Sequence, residues 1–159
     1  MVADAAPELR PAREVIELPE SLRRDRRAVA RWALEHGRPL HLDAVTIVLA
    51  VRDFEARTDD APFTRWTTQG LIGFLWGSAT TWCETRGVEL PPALNESLYT
   101  YLSYLSDQRE FASGSDPLAA LREVLVDMGG LNRSGRLRSV RGSRLATTRR
   151  LPHRHLSPA

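Results

Sequence analysis

Between Arg65 and Glu84 the chain carries no charged residue, and this stretch constrains the fold more than any other. Its bulk comes from Trp66, Leu71, Phe74, Leu75, Trp76 and Trp82, while Gly70, Gly73 and Gly77 recur at helical spacing. Residues three, four and seven apart share a helical face, so the glycines form one smooth stripe. Each costs about 1 kcal/mol of helix propensity relative to Ala. The expected compensation is close approach of a neighbouring helix. Gly73 and Gly77 also make a GxxxG pair of the kind that joins membrane helices. Thr67, Thr68, Gln69, Ser78, Thr80 and Thr81 interrupt the run and leave no window of ~20 mainly apolar residues. A buried core helix is therefore expected rather than a membrane span. Nine of the eleven aromatic residues lie between Phe63 and Phe111, which puts the centre of the core in the same part of the chain.

Helical periodicity extends to both sides. In residues 20–36, Leu22, Val29 and Ala33 share a face with Trp32 at its edge, and Gly37 and Pro39 supply a stop. The opposite face carries Arg23, Arg27 and Arg31 in one row, with Arg24 and Arg26 beside them. Such a row can grip phosphates, or it can be the solvated side of an amphipathic helix. Asp43 reads as the N-cap of a second helix over 44–57, with Ala44, Ile47, Val48, Val51 and Phe54 at helical spacing. The run from Val45 to Val51 is β-branched enough for a buried strand, but no second strand exists to pair with it. The uncharged stretch forms a third helix over 64–86, ended by Gly87. Pro91 and Pro92 suit the first turn of a fourth, over 92–109, which aligns Leu94, Leu98, Tyr101, Leu102 and Leu105. Tyr99 and Tyr104 flank that face as half-buried rings at a packing edge. Ser115, Asp116 and Pro117 signal the start of a fifth helix, and Gly129-Gly130 closes it.

A chain of 159 residues with 42% hydrophobic content is expected to form one domain with most of its apolar surface buried. The fold class expected is all-α: a small bundle of about five helices over residues 20–131. A disordered arm at 1–19 and a basic, disordered tail at 132–159 flank it.

Groups able to do chemistry are few. His36 and His41 flank a turn, with no nucleophile placed to use them as a base. His153 and His155 lack further ligands and sit among arginines that repel a cation. Cys83, in an apolar helix, reads as a buried inert thiol. As the lone cysteine it favours a reducing compartment. The N-terminal residues lack a charged-then-apolar secretory pattern, so a cytoplasmic location is expected. No Walker loop, GxGxxG, HExxH or GxSxG occurs. The expectation is a protein without catalytic residues, metal or cofactor, with an enzyme of unknown type as the third reading.

Charge placement is the one functional signal. All 22 basic residues are Arg. Residues 1–132 hold 14 of them against 20 acids, a net of −6, while residues 133–159 hold 8 and no acid. Arg133, Arg136, Arg138, Arg141, Arg144, Arg149, Arg150 and Arg154 recur every few residues. Guanidinium groups make bidentate contacts to phosphate, and such binding is largely sequence-independent and steeply salt-sensitive. Ser134, Ser139, Ser143, Thr147 and Thr148 can add backbone contacts. The expected function is a non-enzymatic accessory or regulatory protein that binds DNA or RNA through this tail, with Arg23, Arg27 and Arg31 as further candidates. The helical body would then associate with itself or with another protein, and no membrane is involved. The alternative is a purely protein-interaction subunit of a larger assembly, its tail meeting an acidic neighbour.

Overall fold

The computed structural model describes residues 8–138. The elements in order are α1 (Ala12–Val15), α2 (Glu20–Glu35), α3 (Leu42–Asp59), α4 (Thr68–Gly73), a π-helical turn (Phe74–Ser78), α5 (Ala79–Arg86), α6 (Leu94–Asp107) and α7 (Leu118–Met128). The all-α class read from periodicity is the class observed. Among the described residues, no helix is long and apolar enough to cross a membrane.

α3 occupies the centre, touching α1, α2, α5 and α6. Its residues Ala44 to Leu49 are all buried. A helix covered on every side reads as continuously apolar, which is why the Val45–Val51 run resembled a strand. From α6, residues Leu98 to Leu105 close over it, and α7 adds Leu121 and Leu125. Trp66 meets Phe74 and Tyr101 edge-to-face at centroid distances of 6.1 and 6.3 Å, the arrangement aromatic quadrupoles favour. Cys83 is buried, and burial pushes its thiol up to about 11, so it is un-ionised at neutral pH.

The structure corrects the sequence reading at several places. Residues 8–19, expected within a disordered arm, belong to the fold: Ala12 and Leu18 are buried, and the Arg10 amide and carbonyl bond to Gly87 and Glu89. α1 is tied to α3 by Asp43, whose Oδ1 accepts from both the amide and Nε of Arg13 at 2.9 Å. Asp43 is therefore not the N-cap of α3. His41 is, its ring Nδ1 accepting from the Asp43 amide at 3.2 Å.

The helix built from the uncharged stretch runs from Thr68 to Arg86, but it is interrupted and only half covered. Leu71, Phe74, Ala79 and Cys83 are buried, whereas Trp76 is 75% exposed. The π turn at Phe74–Ser78 inserts extra backbone into the helix and so shifts the register of everything after it. The glycine stripe does not receive a neighbouring helix. A Cβ placed on Gly73 or Gly77 would meet nothing within 4 Å, and one on Gly70 would meet only Thr67 Oγ1.

The Ser115-Asp116 signal serves a different helix from the one expected. Asp116 Oδ2 accepts from the Thr68 amide at 2.6 Å and Ser115 Oγ from the Trp66 amide at 3.1 Å, so the pair ties the start of α4. Thr67 completes that end by accepting from the Gly70 amide. α7 begins after Pro117 without a side-chain cap. Pro91 and Pro92 likewise lie ahead of α6, whose N-cap is Ala93.

Candidate nucleic-acid interface

The tail does not leave the body as a loose end. Asn132 to Arg136 form a tight turn in which Asn132 Oδ1 accepts from the Ser134 and Arg136 amides at 2.9 and 3.1 Å. The Asn132 amide in turn donates to the Arg136 carbonyl at 2.7 Å. Asparagine suits such a place because its side chain mimics a backbone turn. Leu131 and Leu137 face each other across the turn as an antiparallel bridge. The Arg138 amide then donates to the Gly130 carbonyl at 2.9 Å, and the Leu137 amide to Glu96 Oε2 at 3.0 Å.

Tyr99 of α6 anchors this turn. Its hydroxyl donates to the Arg133 carbonyl at 3.1 Å. The guanidinium groups of Arg38 and Arg122 lie over its ring at 5.2 and 5.0 Å from the centroid, within cation–π range. Arg38 also donates to the Ser134 carbonyl at 2.6 Å. Gly135 is buried against the same ring at φ +84°, and a Cβ there would lie 2.4 Å from Tyr99 and 2.5 Å from Arg38 Nη2.

This root sits beside the end of α2. Arg136 Nη2 donates to the Gly37 carbonyl at 3.4 Å, just beyond the helix whose outer face exposes Arg24, Arg27 and Arg31. Arg136 thus brings the root to the C-terminal end of α2, where the exposed Glu35 lies between it and Arg31.

Individual candidates fare differently. Arg31, Arg136 and Arg138 are exposed, and Arg138 is held through its backbone. Arg23 is occupied: it donates to Glu20 at 2.8 and 3.1 Å and to the Leu18 carbonyl at 2.9 Å. Arg27 reaches the same carboxylate at 3.4 Å. Hydrogen bonds from Arg23 and then Arg27 hold Glu20 below the usual carboxylate range. Arg133 is paired with Glu123 of α7, and that hydrogen bond raises its own pKa further. Arg23 and Arg133 are therefore internal ion pairs rather than open phosphate ligands. Arg141, Arg144, Arg149, Arg150 and Arg154 lie outside the described residues.

The sequence reading took Tyr99 as a half-buried packing ring, whereas it is buried and anchors the turn, and Arg38 and Gly135 were not singled out. The signal for them was Asn132-Arg133-Ser134-Gly135, a turn sequence hidden in a segment taken as uniformly disordered.

A further concavity is a groove between α3 and the α4–π–α5 helix. One part of about 330 Å³ is lined by Arg52, Trp66, Gly73 and Phe74, and a second of about 240 Å³ by Phe54 and Trp82; Glu55 and Ser78 belong to both. Arg52 Nε, Trp66 Nε1, Ser78 Oγ and Trp82 Nε1 are buried there without a partner. Being closed off from solvent, these atoms are a packing cost rather than groups presented to a substrate. Neither histidine lines the groove: His36 stacks on Trp32 at 4.2 Å, and His41 caps α3.

Comparison with known protein-family models, with curated proteins and with solved structures gives no match.

Proposed function

We propose that the chain is a non-enzymatic accessory protein that holds the phosphate backbone of DNA or RNA, using its C-terminal arginines together with the outer face of α2. The observation that carries this reading is the placement of the tail root. The start of the acid-free, +8 segment is held by Tyr99 and Arg38, and its Arg136 reaches the Gly37 carbonyl just past the end of α2. A polyanion following the tail would meet the exposed arginines of α2 next, although Glu96 and Glu123 also stand at the root.

The test is a salt titration of binding to random-sequence DNA and RNA by the full chain and by a chain ending at Arg138. Each neutralised phosphate contributes about 0.9 to the slope of log affinity against log salt for duplex DNA. Truncation removes Arg141, Arg144, Arg149, Arg150 and Arg154, so the slope should drop by up to ~4–5 and low-salt affinity should collapse. Unchanged affinity after truncation would overturn the proposal.

The Arg133–Glu123 pair favours a second reading, in which the tail arginines meet carboxylates of a protein. That reading requires no binding of either nucleic acid even at low salt.

A further inference from the structure

A hollow of about 310 Å³ opens where the α1–α2 connection meets the first turns of α2, lined by residues 13–18 with Arg23 and Arg26. Two of its guanidinium groups are fixed to α3. Arg13 Nε donates to Asp43 Oδ1 at 2.9 Å, and Arg26 Nη1 to Thr46 Oγ1 at 2.7 Å. Both anchors are buried, and they stand three apart on one helix, a spacing that sets Cβ atoms about 5–6 Å from each other. Among the described residues, one guanidinium nitrogen of each arginine is used by the fold and the others have no protein partner.

Asp43 is thus one carboxylate for two cations. Arg26 forms no ion pair among the described residues, and Arg23 and Arg27 on either side of it turn to Glu20. Burial lowers the proton affinity of Arg26, and the charges of Arg13, Arg23 and Arg27 lower it further, with Asp43 opposing them. A half-buried cation with no counter-ion costs free energy that an anion in the hollow would recover. Two acids also line the wall, and both are exposed: Glu14 pairs with Arg10, while Glu17 has no ion-pair partner among the described residues.

We propose that this hollow binds a phosphate monoester group, held by the unused guanidinium nitrogens of Arg13 and Arg26. Such a group carries about −1.5 to −2 charge at neutral pH and three acceptor oxygens, enough to engage two guanidinium forks, whereas a carboxylate fills one. Its carrier is either a free small molecule or the phosphorylated end of a nucleic-acid strand. The site uses neither the tail nor the outer face of α2, and its first probe is inorganic phosphate, so it and the nucleic-acid reading can fail separately.

NMR titration of the full chain with inorganic phosphate, at an ionic strength held constant with chloride, should give saturable amide shifts confined to residues 13–18 and the first turns of α2. Arg26→Gln should weaken binding at least tenfold. Arg26→Lys keeps the charge without the planar fork and should fall between Gln and wild type, which separates a lost ligand from a lost fold. Glu17→Gln removes a repelling carboxylate and should tighten binding, while Arg57→Gln, at an exposed arginine in the last turn of α3, should leave it unchanged. A dinucleotide with a 5′-phosphate is then compared with its 5′-hydroxyl form. Binding tighter than that of inorganic phosphate assigns the group to a strand end, and equal or weaker binding assigns it to a small molecule. No saturation at millimolar phosphate, unchanged affinity in Arg26→Gln, or a 5′-hydroxyl dinucleotide bound as tightly as the phosphorylated one would each overturn the proposal.

Discussion

Replacing Gly135 by Ala tests whether the tail root is a built joint. The backbone there has φ +84°, a region that costs an L-residue with a Cβ about 1–2 kcal/mol. The new methyl would also sit 2.4 Å from two carbons of the Tyr99 ring. That ring has little freedom to retreat, because its hydroxyl is bonded to Arg133 and guanidinium groups from Arg38 and Arg122 lie over it. Forcing a methyl into such a place typically adds about 1–3 kcal/mol. The competing outcome is release of the turn. This forfeits the Tyr99–Arg133, Arg38–Ser134, Leu137–Glu96 and Arg138–Gly130 hydrogen bonds, each worth about 1 kcal/mol net. The two costs are similar, so the loss is capped near 4 kcal/mol, and the turn rather than the bundle gives way. Hydrogen exchange should show the Leu137 and Arg138 amides losing protection, while interior α6 amides such as that of Leu102 keep theirs relative to global unfolding. Urea titration should place the overall loss at about 2–4 kcal/mol. A variant with wild-type protection at Leu137 and Arg138, and stability within about 0.5 kcal/mol, would refute the joint.

Two further perturbations follow from the interior. Burial raises the Asp43 carboxyl, but the amide and guanidinium of Arg13 outweigh it and hold the group below its ordinary value. A depressed folded-state pKa stabilises above the unfolded value and is lost as pH falls through the folded one. Asp43→Asn should therefore cost about 1–2 kcal/mol at neutral pH, and the gap from wild type should close below about pH 4, as read by urea titrations across pH. A gap that persists unchanged in acid would show that charge at Asp43 is not what ties α1 down. Ser78→Ala deletes a buried hydroxyl that has no partner. It should be neutral or stabilise by up to about 1 kcal/mol in thermal unfolding, and a clear destabilisation would mean that the hydroxyl is bonded in solution.

What could be read from the sequence was whatever depends on neighbours along the chain. Apolar residues spaced for one face placed α2, α3, α6 and α7 close to their observed limits, because burying that face is what selects the helix. Errors arose where a residue was assigned to its nearest element but is used by a distant one. Asp43 is the first acidic side chain before a helix, yet Arg13, thirty residues upstream, takes it, and a histidine caps instead. Ser115 and Asp116 precede α7 but satisfy the start of α4, nearly fifty residues earlier. No local preference encodes such substitutions, because a carboxylate satisfies any amide that tertiary structure brings within reach.

The uncharged stretch carries the same lesson into function. Composition marked residues 66–83 as interior, and a regular α-helix would have wrapped its aromatics around one axis. Helix geometry alone separates two of them: Phe74 stays inside while Trp76, two positions or about 200° on, faces solvent, and the π turn begins at Phe74. The glycines left open by it, Gly73 and Gly77, allow the wide turn without crowding and receive no neighbouring helix. A π-helical insertion costs backbone regularity and tends to occur where a protein uses the side chain it displaces. Of the aromatic residues in this stretch, Trp76 is the one left mostly exposed, despite the free energy available from burying an indole. The arginine tail, by contrast, was visible in composition from the start, but the Tyr99 anchor at its root was not. Charge is legible in composition, whereas the contacts that hold the root in place depend on residues from α2, α6 and α7 that only the fold brings together.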